Sequence, residues 1–227
     1  MKKEIRPGGT ISKRISPVYL ACDTSESMLE NGKIAELNNC MREGCAMIRK
    51  LEEENPTIEI QINVLSFNTK ACWVVQNKPV QDFVWPDLEA KSGGLTNVGD
   101  AFEYLEMAMK SPDMPERGYP PLICLITDGY ATDSYKPSLD AFLSTNWGHK
   151  SIRQAIGIGK DADMSVLTKF INNSEIKPIQ VNSPEQLAQA IRFVSTVVLK
   201  KASVPNVGTT PTEQTPVVEV DPSDDVW

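Results

Sequence analysis

Residues 23–27 read Asp-Thr-Ser-Glu-Ser and follow the apolar run Val18-Tyr19-Leu20-Ala21-Cys22 without a break. The loop itself holds no His or Cys, so it is unsuited to covalent chemistry, but it is dense in oxygen donors. A second apolar run, Leu-Ile-Cys-Leu-Ile-Thr over 122–127, empties in the same way into Asp128. If both runs are strands of one open α/β sheet, Asp23 and Asp128 stand at the strand C-terminal edge, where ligands bind at the point at which strand order reverses. Strands lie about 4.8 Å apart, and two carboxylates at neighbouring ends repel by roughly 1 to 4 kcal/mol, depending on the effective dielectric. A bound cation removes that penalty. Ser25 and Ser27, spaced i and i+2, can turn both hydroxyls toward one point, and Thr96 can arrive from the Ser92-Gly93-Gly94 loop. An all-oxygen set suits Mg²⁺ or Mn²⁺, and Ca²⁺ less well, whereas Zn²⁺ favours His or Cys.

The elements that must position these residues can be read from periodicity. Val18 to Cys22, Leu122 to Ile126 and Ala155 to Ile158 are short, apolar and bounded by turn or charged residues, as strands covered on both faces are. Between the first two, Ile34, Leu37, Met41, Cys45, Ile48 and Leu51 trace one helical stripe that stops at Asn55-Pro56. Gly44 inside that helix costs about 1 kcal/mol against Ala, and close packing on the sheet would explain it. Ile58, Ile60, Ile62 and Val64 alternate with polar residues, and Ala71 to Val75 can pair with them across Asn68-Thr69-Lys70 as a hairpin. Val98, Phe102, Leu105 and Met109 mark a second helix with Asn97 as N-cap. Helices are expected over Pro137 to Ser144, Met164 to Ile171 and Pro184 to Leu199, with a strand near Pro178 to Val181. This alternation points to a doubly wound α/β fold.

Taken in chain order, DTSES, Thr96 in GGLTNVGDA and Asp128 in LITDG resemble the metal-ion-dependent adhesion site (MIDAS) of von Willebrand factor A (vWA) domains, written D-x-S-x-S, then Thr, then Asp. The resemblance spans about residues 16–200. It implies a Rossmann-like α/β fold, a mainly parallel sheet with one antiparallel edge strand and helices on both faces. It also implies that Ser25, Ser27 and Thr96 touch the metal directly or nearly so. Asp23 and Asp128 would hold it directly or through water, and a partner protein's Asp or Glu would complete the octahedron. Two positions depart from the pattern: Glu26 stands where Gly is usual, which adds a carboxylate that either takes the partner's vertex or points to solvent. Leu95 stands before Thr96 where a second Gly is common. LITDGYATD and QAIGIGKDADMSVLTKF further resemble the vWA proteins of bacterial tellurite-resistance stress systems, which implies kinase- or phosphatase-like partners and a role in stress or phage defence.

The whole chain fits that expectation. Its 227 residues hold one domain, expected at 16–200, with an N-terminal extension (1–15) and an acidic, Pro-containing tail (201–227) that is either solvated or a docking peptide anchored by Trp227. The net charge of −7, without clustered Lys and Arg, argues against nucleic-acid binding. No apolar run is long enough to span a bilayer and no secretory h-region is visible, so a cytoplasmic location is expected, with five reduced Cys in structural roles and no bridge between Cys40 and Cys45. No catalytic residues and no nucleotide-binding loop are expected. His149 lies in a loop beside Trp147 with no triad around it, and Gly157-Ile158-Gly159-Lys160 lacks phosphate-loop spacing. A resemblance to aspartyl phosphotransferases of the haloacid dehalogenase type would imply a carboxylate two residues after Asp23, where Ser25 stands. A Mg²⁺-dependent phosphotransferase remains an alternative, as does a structural subunit with a vestigial site. Asp133 is expected to serve as the N-terminal acid of the following helix or to support the site, Trp73 and Trp85 to pack the hairpin, and Met107 and Met109 to lie in the core.

Overall fold

The computed structural model describes residues 13–116 and 118–202, and the side chains up to residue 197. Six strands form one sheet in the order β3-β2-β1-β4-β5-β6: β1 (Arg14–Asp23), β2 (Ile58–Phe67), β3 (Ala71–Pro79), β4 (Leu122–Thr127), β5 (Ile152–Ile158) and β6 (Ile179–Val181). All neighbours pair in parallel except β2 and β3, the hairpin at one edge. The helices are α1 (Lys33–Glu54), α2 (Val98–Lys110), α3 (Lys136–Ser144), α4 (Asn146–Lys150), α5 (Met164–Ile171) and α6 (Pro184–Ala202).

Strand periodicity of two decides which helices lie on which face. Val18, Leu20 and Cys22 of β1, with Leu122, Cys124 and Ile126 of β4, pack in one core against α1 and α6. Tyr19, Ala21, Ile123 and Leu125 face the other way and pack against α2, α3 and α5. Both faces of the central strands are therefore buried, which is why they read as unbroken apolar runs rather than alternating ones. Starting from β1, the chain builds outward to β2 and β3, then crosses back to lay β4 on the other flank of β1. The reversal falls between the C-terminal ends of β1 and β4, where Asp23 and Asp128 stand.

Several expectations need correction. Gly44 is explained by α6 rather than by the sheet: a Cβ there would lie 2.6 Å from Ile191 Cγ2. Asn97 makes no side-chain cap at α2. Instead it joins two loops, donating to the Thr69 carbonyl at 2.9 Å and accepting from the Thr132 hydroxyl at 2.8 Å. The first turn of α2 is served by Asp133, which accepts from the Gly99 amide at 2.9 Å, so this acid works on the preceding helix and not on α3. Trp85 lies in the core that includes Ile58, Ile60, Ile62 and Val64 of the hairpin strand β2, and its indole donates to Asn38 of α1 at 2.9 Å. Trp73 sits in the hairpin, tilted against Tyr19 and Tyr104. Met109 is core, but Met107 is 58% exposed because it lies off the α2 stripe. His149 belongs to the short α4, which precedes β5 and so lies at the sheet edge opposite Asp23. All five Cys are free and four are buried, with Cys72 exposed. The strand β1 opens at Arg14 and α6 closes at Ala202, slightly beyond the expected 16–200. Most of the expected extension (1–15) and tail (201–227) lies outside the described residues. Among the described residues no helix is long and apolar enough to cross a membrane.

The contact at Gly44 is testable. Gly44→Ala gains about 1 kcal/mol in helix propensity but overpacks against a branched methyl, a cost of typically 1–3 kcal/mol. A net loss of thermal stability is expected, restored in part by Ile191→Ala in the same chain. A melting temperature that rises in the single variant would show that α1 and α6 do not approach this closely.

Candidate functional site

Three loops build the site, and backbone hydrogen bonds tie them together. The loop after β1 is held to the loop before α2 twice: the Lys91 amide donates to the Thr24 carbonyl at 2.9 Å, and the Glu26 amide to the Gly94 carbonyl at 3.1 Å. The loop before α2 is joined in turn to the loop after β4. The Thr96 amide donates to the Thr132 hydroxyl at 3.0 Å, and the Thr132 amide to the Thr96 carbonyl at 2.9 Å. Thr24 itself turns away from the cluster: its hydroxyl donates to the Phe67 carbonyl at 3.0 Å and accepts from Asn68. With Thr24 anchored on β2, Ser25 and Ser27 are left to face Asp128.

The two serine hydroxyls lie 3.1 Å apart, and Ser27 donates to Asp128 Oδ1 at 2.7 Å. Asp23 accepts from the Ser25 amide at 2.8 Å and from the Thr127 hydroxyl. Thr96 closes the ring from above Gly129. A Cβ on Gly129 would lie 3.3 Å from Thr96 Oγ1, a tight approach, and 3.7 Å from Ser27 Oγ, an ordinary contact, so both hydroxyls border this glycine. Asp23, Ser25, Thr96 and Asp128 are buried, and Ser27 is partly so. All five residues singled out in the sequence are thus brought to one edge of the sheet. Glu26, by contrast, is exposed, and its carboxylate accepts from Ser92 at 3.1 Å, on the flank of the loop rather than in the cluster.

Sequence reasoning missed three contributors. Lys33, the first residue of α1, is only 5% exposed, and its ammonium donates to Asp128 Oδ2 at 2.8 Å. A cation in the first helical turn opposes the macrodipole, so its placement is accounted for by the carboxylate it meets. Asn31 and Gly32 just before it take positive φ, 51° and 72°, and turn the chain sharply enough to start the helix there. The available signal was a lysine in register with the apolar stripe: Lys33, Leu37, Met41, Gly44 and Ile48 all lie on the buried face. Thr127 and Thr132, the second and third, are hydroxyls within a strand end and a loop, and their sequence carries no distinguishing mark.

Electrostatics follow from this burial. Removal from water pushes the Asp23 carboxyl up to about 6, against the hydrogen bonds from Ser25 and Thr127, and the nearby Asp128 adds to the rise. Asp128 is satisfied by one ammonium and one hydroxyl. Breaking such a buried pair from one side typically costs about 3–5 kcal/mol. Among the described residues no group of three or more His, Cys, Asp or Glu side chains is arranged to hold a metal ion. The cluster is instead two carboxylates with three hydroxyls, a donor set whose chemistry fits a hard, oxygen-preferring divalent cation.

Comparison with known proteins gives the fold. No family model matches the chain and no curated protein does. Solved structures match over most of it. A von Willebrand factor type A protein from Catenulispora acidiphila superposes with a TM-score of 0.61 at 15% identity, over 83% of this chain and 43% of that one. VWA2, the ArnB paralog from Sulfolobus acidocaldarius, gives 0.53 at 19% identity, over 80% and 44%. Proximal thread matrix protein 1 from mussel byssus, in a form whose MIDAS motif is occupied by zinc, gives 0.56 at 16% identity, over 83% and 49%. The chain therefore has the Rossmann-like vWA fold and spans less than half the length of each of these proteins.

The raised Asp23 carboxyl has a signed consequence for stability. A group whose folded value lies above its unfolded value of 3.8 stabilises the fold at low pH, and that contribution is lost as pH rises through about 6. In chelator, the stability of the wild type relative to Asp23→Asn should therefore fall between about pH 4 and pH 7, by an amount of order 2 kcal/mol. Thermal melts of both proteins across that range measure it. A difference that stays flat with pH would mean that Asp23 ionises without cost.

Proposed function

We propose that this chain is a non-catalytic interaction module that binds a divalent cation through Asp23, Ser25, Ser27, Thr96 and Asp128 and presents it to an acidic side chain of a partner protein. The observation that carries the reading is the convergence of three hydroxyls and two carboxylates from three distant segments on the switch point of a vWA sheet. Neutral hydroxyls hold a cation without cancelling its charge, so it stays attractive to a carboxylate from outside. The zinc-occupied MIDAS of the byssus protein supports a divalent ion at the corresponding place. The all-oxygen donors here favour Mg²⁺ or Mn²⁺.

The surroundings suit docking better than turnover. Leu29, Leu95 and Tyr130 are exposed large apolar residues, and each lies within two positions of Ser27, Thr96 or Asp128. The loops that carry Leu95 and Tyr130 are hydrogen-bonded to each other and to the loop after β1. Exposed apolar groups beside a polar centre are the mark of an interaction site. His149 lies at the far edge of the sheet, away from the cluster's hydroxyls and carboxylates. The assignment to a stress or phage-defence system with kinase- or phosphatase-like partners in the cytoplasm rests on the resemblance of LITDGYATD and QAIGIGKDADMSVLTKF alone.

Thr96→Ala is the cleanest test, because among the described residues the bonds that tie Thr96 into the loops are those of its backbone amide and carbonyl, which the substitution keeps. Calorimetry with Mn²⁺ should show saturable binding to the wild type and at least about tenfold weaker binding to Thr96→Ala, equivalent to ~1.4 kcal/mol, with unchanged circular dichroism. Asp23→Ala should also lose the ion. Equal heats for wild type and Thr96→Ala, or hydrolysis of a generic phosphate ester that depends on Asp23, would remove the reading.

A further inference from the structure

Lys33 has no counterpart in the donor set described above, yet among the described residues it brings a full positive charge into contact with that set. Its ammonium takes Asp128 Oδ2 at 2.8 Å while Ser27 takes Oδ1 at 2.7 Å. Both oxygens of the buried carboxylate are therefore committed before any ion arrives. The lysine cannot swing freely into water, since its side chain is 6% exposed and is anchored at the first position of a 22-residue helix. Asp128 contributes a side chain with no exposure at all.

The charge count gives this contact a direction. Asp23 and Asp128 contribute two negative charges when ionised, and Lys33 returns one, while Glu26 is turned aside onto Ser92. Without Lys33 a divalent ion would find a site of net −2 and leave it neutral. With Lys33 the site is −1 before loading and +1 after. Like charges a few ångströms apart in a partly desolvated setting cost kilocalories rather than tenths, so the ammonium opposes the incoming ion. The same surplus charge is left unmatched in the loaded state, where a carboxylate from outside can balance it.

We propose that Lys33 is a built-in rival cation: it competes with the divalent ion for Asp128, holds metal affinity down, and leaves the loaded site with a positive charge that favours capture of an acidic group. This inference rests on the reading of the cluster as a metal site. Metal loading and carboxylate binding are then coupled, because an acidic ligand relieves the repulsion between Lys33 and the ion.

The test compares wild type, Lys33→Met and Lys33→Arg by calorimetry with Mn²⁺ alone, then with Mn²⁺ in the presence of acetate as the carboxylate probe. Met approximates the length of Lys without its charge, and Arg keeps the charge. Lys33→Met should bind Mn²⁺ about tenfold more tightly or better, and Lys33→Arg should stay within a few-fold of wild type. Acetate should strengthen Mn²⁺ binding in wild type and in Lys33→Arg, but not in Lys33→Met. If Lys33→Met is unstable because Asp128 loses its partner, its melting temperature should rise more on adding Mn²⁺ than that of wild type. A wild type that takes up no Mn²⁺ while Lys33→Met does overturns the proposal as stated, because a site that Lys33 keeps empty never presents an ion to a carboxylate. Wild-type binding with equal or weaker binding by folded Lys33→Met overturns the inference alone and leaves the metal site standing. Absence of binding in every variant overturns both. A Lys33→Met chain that Mn²⁺ cannot restore to a folded state also overturns it, since Lys33 would then be a structural tie that no ion replaces.

Discussion

Two carboxylates buried at the ends of adjacent parallel strands form the constraint around which this edge of the molecule is arranged. The strands β1 and β4 are central, covered by helices on both faces, and the side chains that leave their C-terminal ends have little access to water. Asp23 and Asp128 would be expensive there without partners. The two are treated differently. Asp23 is met by neutral donors, one amide and one hydroxyl, and burial still drives its carboxyl up to about 6. Asp128 is met by a full charge from Lys33 and a hydroxyl from Ser27. One acid is left short of compensation and the other is fully compensated. Only the first creates a standing demand for positive charge.

That difference explains why so much of the surrounding backbone is spent on holding loops rather than on burying apolar area. Thr24 fastens the loop after β1 to the end of β2, and Asn97 and Thr132 fasten the loop before α2 to its neighbours. Asn38 of α1 does similar work further back, accepting from Trp85 and the Leu88 amide and donating to the Leu88 carbonyl, so that the long segment leading to Thr96 lies along α1. Hydroxyl ligands are weak individually and act only when several are held at one point. A mesh of short, mostly buried hydrogen bonds between loops supplies that fixity where no regular element could.

Much of the fold was legible because its signals are local. The apolar runs of β1, β4 and β5, the alternation of β2 and the stripes of α1 and α2 each report burial within a few residues of themselves. The five oxygen-bearing residues were legible for a different reason: Asp23 and Asp128 each end an apolar run, and Ser25, Ser27 and Thr96 complete a spaced pattern with them. What could not be read were interactions whose partners are distant in sequence and ordinary in type. Asp133 lies near α3 but serves α2, since the shape of the 129–135 loop and not sequence proximity decides which amide it reaches. Gly44 carries the mark of close packing but not the identity of the neighbour, which proved to be Ile191 on α6. Lys33 falls in register with Leu37 and Met41, which marks it as buried, but nothing near it in sequence names Asp128, 95 residues on, as its partner.

The helix that carries Lys33 also connects the site to the rest of the core. The stripe of α1 continues from Lys33 through Leu37, Met41 and Ile48 into the core shared with α6, so the position of the ammonium is fixed by the same packing that holds α1 on the sheet. Asp128, for its part, follows directly on β4, the strand hydrogen-bonded to β1 along its length. The contact between them therefore links the first helix to the central strands at the edge where ligands approach. Any event that alters the charge on Asp128 acts on the N-terminus of α1 through a 2.8 Å bond rather than through solvent. On the opposite face of the sheet, with α2, α3 and α5, the loops that carry Thr96 and Thr132 meet the cluster.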